Sequence, residues 1–472
     1  MTLQSATDRR RFLAQMGALS LLSQGPGGSA QAKAAAKEYA DLATRRFRRH
    51  IEGARKAILD EIKPTRAQLE HGLELHRESI VCDLYGGSNP VHVTGFYSES
   101  MKAWALGVLD REPDPERKRK LFISTVRPQI QKWRALEVVH DPGFQANHRL
   151  AWETSQVDLG LADVAWAPEG EGERFSLEYL ASEAYAFDHL DYMEKFLRVE
   201  DLEGFKKEGK HAVIWHVGRP DACFAGPHIK DPIKNLEFYY AFGVRHCQLT
   251  NSTRNQVGTS HYQEVDPGLT EMGEAVIRRM NELGMMVDLS HCGTQTTLDA
   301  IRASQEPVLI SHTACRTLSR GGKSPNRNAT DEAIRNTAGK GGMIGIITVP
   351  NLLGGFGAES VYWHLDHAIK LVGVDHVGLA SDQGPMGRAV QAPEIVEILK
   401  PRKFLTTGFK GTKTYWEWET GPRPLSLVNA PYLTVGLVVR GYSDDDIRKI
   451  IGGNFLRVAG TIMDKQPRGR LT

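Results

Sequence analysis

The sequence predicts an α/β chain built on a (β/α)8, TIM-like barrel, with extra helices at its N-terminal end and a long helical insertion. Two short apolar runs, Met285–Leu289 and Pro307–Ile310, each end in Ser-His and are joined by a helix-length connector; this is the pattern of a βαβ unit with buried parallel strands. Further runs of the same kind alternate with helical stretches along the chain. Its 472 residues and 46 glycines suit one barrel with insertions and many tight loops. His291 and His312 then fall at the ends of neighbouring strands, the face on which such barrels carry their chemistry. Neutral imidazole is the commonest protein metal ligand. Two of them on adjacent strand ends can share one metal, or each can be an ordinary polar residue at a strand exit.

The chain begins with a segment expected to direct export rather than to fold. Asp8-Arg9-Arg10-Arg11-Phe12-Leu13 has the spelling of a twin-arginine signal, a short apolar run follows at Met16–Leu22, and Ala30-Gln31-Ala32 has the form of a cleavage site. Residues 1–32 are therefore read as a signal peptide, with the twin-arginine export machinery as a partner and a periplasmic or secreted location. The apolar run is too short to span a bilayer. Residues 33–78, rich in Ala, Arg, Glu and Lys, read as amphipathic helices on the outside of the main domain.

The barrel is expected over residues 79–462. Ser79–Leu84 is its first strand, followed by a loop at Tyr85–Pro90. Residues 91–210 read as a helical insertion. Strands are then expected at His211–His216, Arg245–Thr250, the two Ser-His runs, Met343–Val349 and His376–Ser381. A helix should fill Gly268–Gly284, stopped by its terminal glycine; Thr330-Asp331-Glu332 opens another, Trp363–Val372 is helical, and Gly441–Val458 reads as a helix pair. Pro385–Leu425 is irregular, with Tyr415, Trp416 and Trp418 as candidate pocket-rim residues, and 463–472 is a tail. That makes seven strands; one more closes a barrel, and an open doubly wound sheet is the alternative.

The composition, 41% hydrophobic and 25% charged with a net charge of +2, gives no case for nucleic acid or an acidic membrane surface. Five cysteines without a CxxC do not make a disulfide framework in a chain of this size. Cys292 is either a spare soft ligand or a small buried residue. The His364-Leu365-Asp366-His367 stretch lies on a helix pattern, where residues two apart face different ways, so packing or solvent roles are expected. His92, His228 and His261 lie in loops, where they can line the pocket or, the favoured reading, be ordinary surface histidines. Asp83 can either approach the site or orient its loop, and Asp288 is expected to orient its neighbours.

Several segments in order carry a family resemblance. They are Asp288-Leu289-Ser290-His291, Ser311-His312, Arg327-Asn328-Ala329-Thr330-Asp331, Gly341-Gly342-Met343-Ile344-Gly345, His376–Asp382, Arg440–Ser443 and Gly452–Val458. Together they resemble the membrane (renal-type) dipeptidase family, peptidase family M19, of the amidohydrolase superfamily. The resemblance implies a (β/α)8 barrel with a two-zinc site. It implies His291 and His312 as ligands of one zinc, Asp382 as a ligand that also handles the proton of the attacking water, and Arg327 as the residue that holds the substrate carboxylate.

The chain also departs from the family pattern. Tyr85 and Gly87 stand where the family's first strand supplies His and Asp ligands, His216 falls about where a bridging Glu is expected, and Asn251 replaces a carbonyl-polarising His. The family's tyrosine after the sixth strand is absent from Thr348-Val349-Pro350. What remains is His216, His291, His312 and Asp382, which suits a single Zn2+ or another divalent metal. The expectation is a metal-dependent hydrolase of a small-molecule or short-peptide substrate, cleaving an amide or related bond, with Asp382 as general base and Asn251 as oxyanion donor. A homodimer is admitted as its assembly. The alternatives are an exported tailoring or maturation enzyme with changed chemistry, and a catalytically inactive binding protein.

Overall fold

The computed structural model describes residues 30–87, 99–165, 172–224, 231–319, 325–382 and 424–464. The twin-arginine stretch, His92, His228 and the Tyr415, Trp416 and Trp418 run lie outside the described residues. Ala30-Gln31-Ala32 opens a helix that continues to Ile62.

Among the described residues the strands are β1 (Cys82–Gly87), β2 (Leu159–Asp163), β3 (Met193–Lys195), β4 (His211–Val217), β5 (Val244–Gln248), β6 (Met286–Asp288), β7 (Val308–Thr313), β8 (Met343–Ile347) and β9 (Val377–Ala380). Eight of them run in the order β1-β2-β4-β5-β6-β7-β8-β9, and the short β3 pairs with the start of β4 beside that path. Every pairing is parallel. The last strand returns to the first. Asp382 N–H donates to the Tyr85 carbonyl at 2.6 Å, and Ser381 N–H donates to the Asp83 carboxylate at 2.8 Å. The architecture is a nearly closed eight-stranded parallel barrel.

The eighth barrel strand, expected but not placed in the sequence, is β2. Residues 91–210 are not wholly helical: β2 and β3 lie within them. β2 is five residues, LGLAD, between charged helices, too short for its own alternation to show.

Strand sequence sets what fills the barrel. Leu84, Leu159, Leu161, Ala212, Ile214, Met286, Leu309 and Met343 form one buried cluster, closed at the lower end by Phe455, Val458, Ala459 and Ile462 of the helix Asn454–Met463. These positions follow the two-residue period of strands, and continuing that period upward changes the chemistry. His216 follows Ile214, Asp288 follows Met286, and Ser311 follows Leu309, so the interior turns polar towards the C-terminal ends. The larger apolar cluster lies between the barrel and its surrounding helices.

Helix ends are specified locally. The Thr270 hydroxyl accepts Gly273 N–H at the start of Glu271–Leu283, and Gly284 ends it at φ 71°. Thr330 caps Asp331–Gly339 in the same way. The capping box of Thr65 and Gln68 starts Arg66–Glu78. No helix among the described residues is long and apolar enough to cross a membrane.

Candidate active site

The C-terminal mouth of the barrel gathers His216, His291, His312, Arg327 and Asp382, joined by Tyr85, His246 and His261. His291 and Asp382 have φ of 68° and 48°; the other two non-glycine residues at positive φ among the described residues, Lys63 and Gln156, end helices. A left-handed residue costs about 1–2 kcal/mol, and at the two site positions hydrogen bonds hold it. The His291 carbonyl accepts both the backbone N–H and Nδ1 of His261, at 3.0 and 3.1 Å. Asp382 is held through its N–H to Tyr85.

Asp288 orients the histidine pair, as its position suggested. Its carboxylate accepts Ser290 N–H and Ser311 N–H at 3.0 Å and the Ser311 hydroxyl at 2.6 Å. With that hydrogen used, Ser311 Oγ accepts from His312 Nδ1 at 2.8 Å. His312 Nε2 is therefore left as a lone pair. It lies 3.0 Å from His291 Nε2, which also has the Arg327 guanidinium at 3.2 Å. Arginine only donates, so His291 Nε2 faces a donor on one side and an acceptor on the other. A single hydrogen cannot satisfy both. Burial, then the Arg327 charge, holds both imidazoles well below their ordinary pKa, so both are neutral at pH 7.

The converging lone pairs are what two metal ligands look like, and a cation or a donor from a ligand would relieve them. The rest of the expected set does not join them. Among the described residues no group of three or more His, Cys, Asp or Glu side chains is placed to hold a metal ion. Tyr85, standing where the resemblance expects a ligand, instead stacks its ring on the face of His312 at 3.7 Å and meets His216 edge-on at 5.0 Å. The β1–β2 register shifts between Cys82 and Gly87, an irregularity of the kind that re-aims side chains. Arg327 adds a positive charge at the lone pair of His291. Two imidazoles fall short of the four ligands zinc takes, so the donors present do not fit the resident metal expected on His216, His291, His312 and Asp382.

Asp382 is open to solvent at the mouth, yet the protein around it pushes its carboxyl up to about 6, with Arg327 and Arg219 opposing the shift. Arg327 is 7% exposed. Its second terminal nitrogen, NH1, has no hydrogen-bond partner among the described residues. Asn251, expected as an oxyanion donor, gives its N–H groups to the Gly218 carbonyl at 2.8 Å and Gln248 Oε1 at 3.3 Å. Both donors are committed to the barrel wall, so Asn251 positions its loop.

One site residue, His246, was missed in the sequence, and His261, a possible pocket residue there, was favoured as a surface histidine. His246 is fully buried in the barrel, 5.5 Å ring to ring from His216 and 3.6 Å from Asp288. Its signal was available, because His246 and Gln248 are polar residues two apart on a buried strand. His261 was read as a loop histidine but is 5% exposed and 5.2 Å ring to ring from His291. The other readings are met by structural roles. His364 accepts Cys315 N–H and contacts the Leu353 carbonyl, His367 pairs with Asp331, and Cys292 is buried beside Thr250. Asp83 fastens β1 to Ser381.

Comparison with known proteins gives the same picture. Residues 181–403 match the family model of membrane dipeptidase, peptidase family M19. An uncharacterised dipeptidase of Schizosaccharomyces pombe is 32% identical over 210 residues, 41% of this chain and 48% of that one. Dipeptidase aclJ of Aspergillus oryzae is 29% identical over 236 residues, 48% and 47% of the two chains. The chain thus spans about half the length of these curated relatives. A solved amidohydrolase of Pseudomonas aeruginosa superposes with a TM-score of 0.57 at 21% identity, over 84% of this chain and 99% of that one, which shows the fold. The ordered motifs and the match over residues 181–403, just under half of the chain, make it similar to the membrane dipeptidase family, M19.

Proposed function

We propose that this chain is a dipeptidase-like hydrolase that cleaves an amide bond in a small substrate bearing a free carboxylate. The observation that carries this reading is Arg327, a buried guanidinium at the barrel mouth whose NH1 has no partner among the described residues. A buried charge with unmet donors is costly unless a ligand completes it, and a carboxylate matches the guanidinium fork. The relatives named as dipeptidases favour a peptide-like carboxylate.

Asp382 then serves as general base. With its carboxyl near 6 it is ionised at neutral pH and can take the proton of a water attacking the carbonyl, while Arg327 fixes the substrate. The single Zn2+ of the sequence reading would have His291 and His312 as its protein ligands, and because the donor set is short, no step is routed through it. Base catalysis contributes about 10²–10⁴ in rate. That lies below the range of enzymatic accelerations, roughly 10⁶ upward. Slow turnover of ordinary dipeptides, or a preference for a more reactive amide, is therefore expected.

A panel of dipeptides and N-acyl amino acids, assayed by release of free amine with and without a chelator, tests the proposal. The expected result is turnover that needs a free substrate carboxylate, is lost in Arg327→Ala, and falls about tenfold per pH unit below about 6 as Asp382 takes up its proton. Activity that ignores the carboxylate would exclude Arg327 from substrate binding. Tyr85, seated on His312, favours a second reading, a barrel that binds such ligands without turning them over. Saturable binding with no product from any member of the panel would select it.

A further inference from the structure

His261 holds a second unmet group beside Arg327. Its Nδ1 faces the His291 carbonyl at 3.1 Å, and a carbonyl only accepts, so the hydrogen is on Nδ1. Nε2 is therefore a lone pair. It is buried and has no partner among the described residues. The residue is 5% exposed, and its ring is 5.2 Å from that of His291, the imidazole that Arg327 touches at 3.2 Å.

The mouth thus offers a free donor on Arg327 and a free acceptor on His261, both attached to His291. The complementary ligand carries an anion with a hydrogen-bond donor a few bonds away. The C-terminal residue of a peptide has that arrangement: its carboxylate and its own amide N–H are separated by one Cα. We propose that His261 is a specificity residue, whose Nε2 accepts the amide N–H of an N-acyl amino acid while Arg327 holds its carboxylate. This rests on the carboxylate reading of Arg327. It implies that ligands with a tertiary amide at that position, as before proline, are disfavoured, because they leave the His261 lone pair buried and unmet.

Two probes separate the two parts. N-acetylglycine and 4-oxopentanoate have the same length and carboxylate, and differ in carrying N–H or CH2 at one position. Titration of the full chain by calorimetry or ligand-observed NMR should give about tenfold tighter binding of N-acetylglycine, the worth of one buried hydrogen bond. His261→Leu should bring the two probes level, mainly by weakening N-acetylglycine, and His261→Gln, which retains an acceptor, should keep a preference. Equal affinities on the unmodified protein overturn the assignment while leaving Arg327 in place. If neither probe binds, the carboxylate reading fails and takes this one with it.

Discussion

Tyr85 decides what the mouth of this barrel can hold. An aromatic ring flat on one imidazole and edge-on to another is worth about 0.5–1.5 kcal/mol beyond its buried area, and it supplies no metal ligand where the resemblance expects one. Replacing it should expose the His312 face. Tyr85→His is expected to tighten zinc binding at least about tenfold over the unmodified protein, in equilibrium dialysis followed by elemental analysis, by raising the protein ligands from two towards the three or four that zinc prefers. Unchanged zinc affinity would mean that Tyr85 is not what limits the ion. At this scale the sequence was legible where a residue type and a strand end coincided: His291, His312 and His216 all sit at the mouth. It was not legible where a contact depended on distant backbone. Nothing local in Thr259-Ser260-His261 indicates that His261 will pin the His291 carbonyl, and nothing in Leu249-Thr250-Asn251 shows that both amide hydrogens of Asn251 will be used by the barrel wall.

Among the elements, the helix Arg66–Glu78 shows how packing overrules propensity. Gly72 lies in its interior, where alanine ordinarily gains about 1 kcal/mol. Here an added Cβ would stand 2.8 Å from Val435 Cα on the helix Ala430–Val439. The neighbouring atom is backbone and cannot swing aside, so overpacking of about 1–3 kcal/mol outweighs the propensity gain. Gly72→Ala should lower the midpoint of denaturant unfolding without altering its slope; a rise would show that the two helices separate at no cost. Long periodic helices such as Glu271–Leu283 were legible because apolar spacing, Thr270 and Gly284 agree. β2 and β3 were not, since five and three residues are too few to set a period and only their neighbours make them strands.

For the whole molecule, closure rests on Asp83. Its carboxylate accepts from Ser381 N–H and hydroxyl and from Tyr85 N–H, and burial pushes its carboxyl up to about 7 from an ordinary 3.8. A raised acid pKa means that the folded state keeps a proton the unfolded chain gives up. This contribution is fully present below pH about 4 and is lost as pH rises through about 7. Asp83→Asn, which cannot ionise, should flatten that part of the stability–pH curve between 4 and 7, read as the difference in unfolding free energy between the two proteins. Identical curves would show that Asp83 stays ionised in the fold. Asp83→Ala should cost about 2–4 kcal/mol, since it leaves Ser381 and Tyr85 donors without an acceptor. The alternation of apolar runs and helices made the barrel legible as a class, but the clasp that closes it joins residues 298 positions apart, a distance no local pattern spans.

That separation bears on how the protein is made. During translation the clasp has one half near the beginning of the barrel and waits for the other until β9 has left the ribosome. Until then β1 has an open edge and the mouth lacks Asp382. A chain released after β8 would have most of its helices and both Ser-His strands, but no finished wall around them. Loop closure over such a length is slow, so competence to bind ligand should arrive as a late, single event in synthesis rather than accumulate strand by strand.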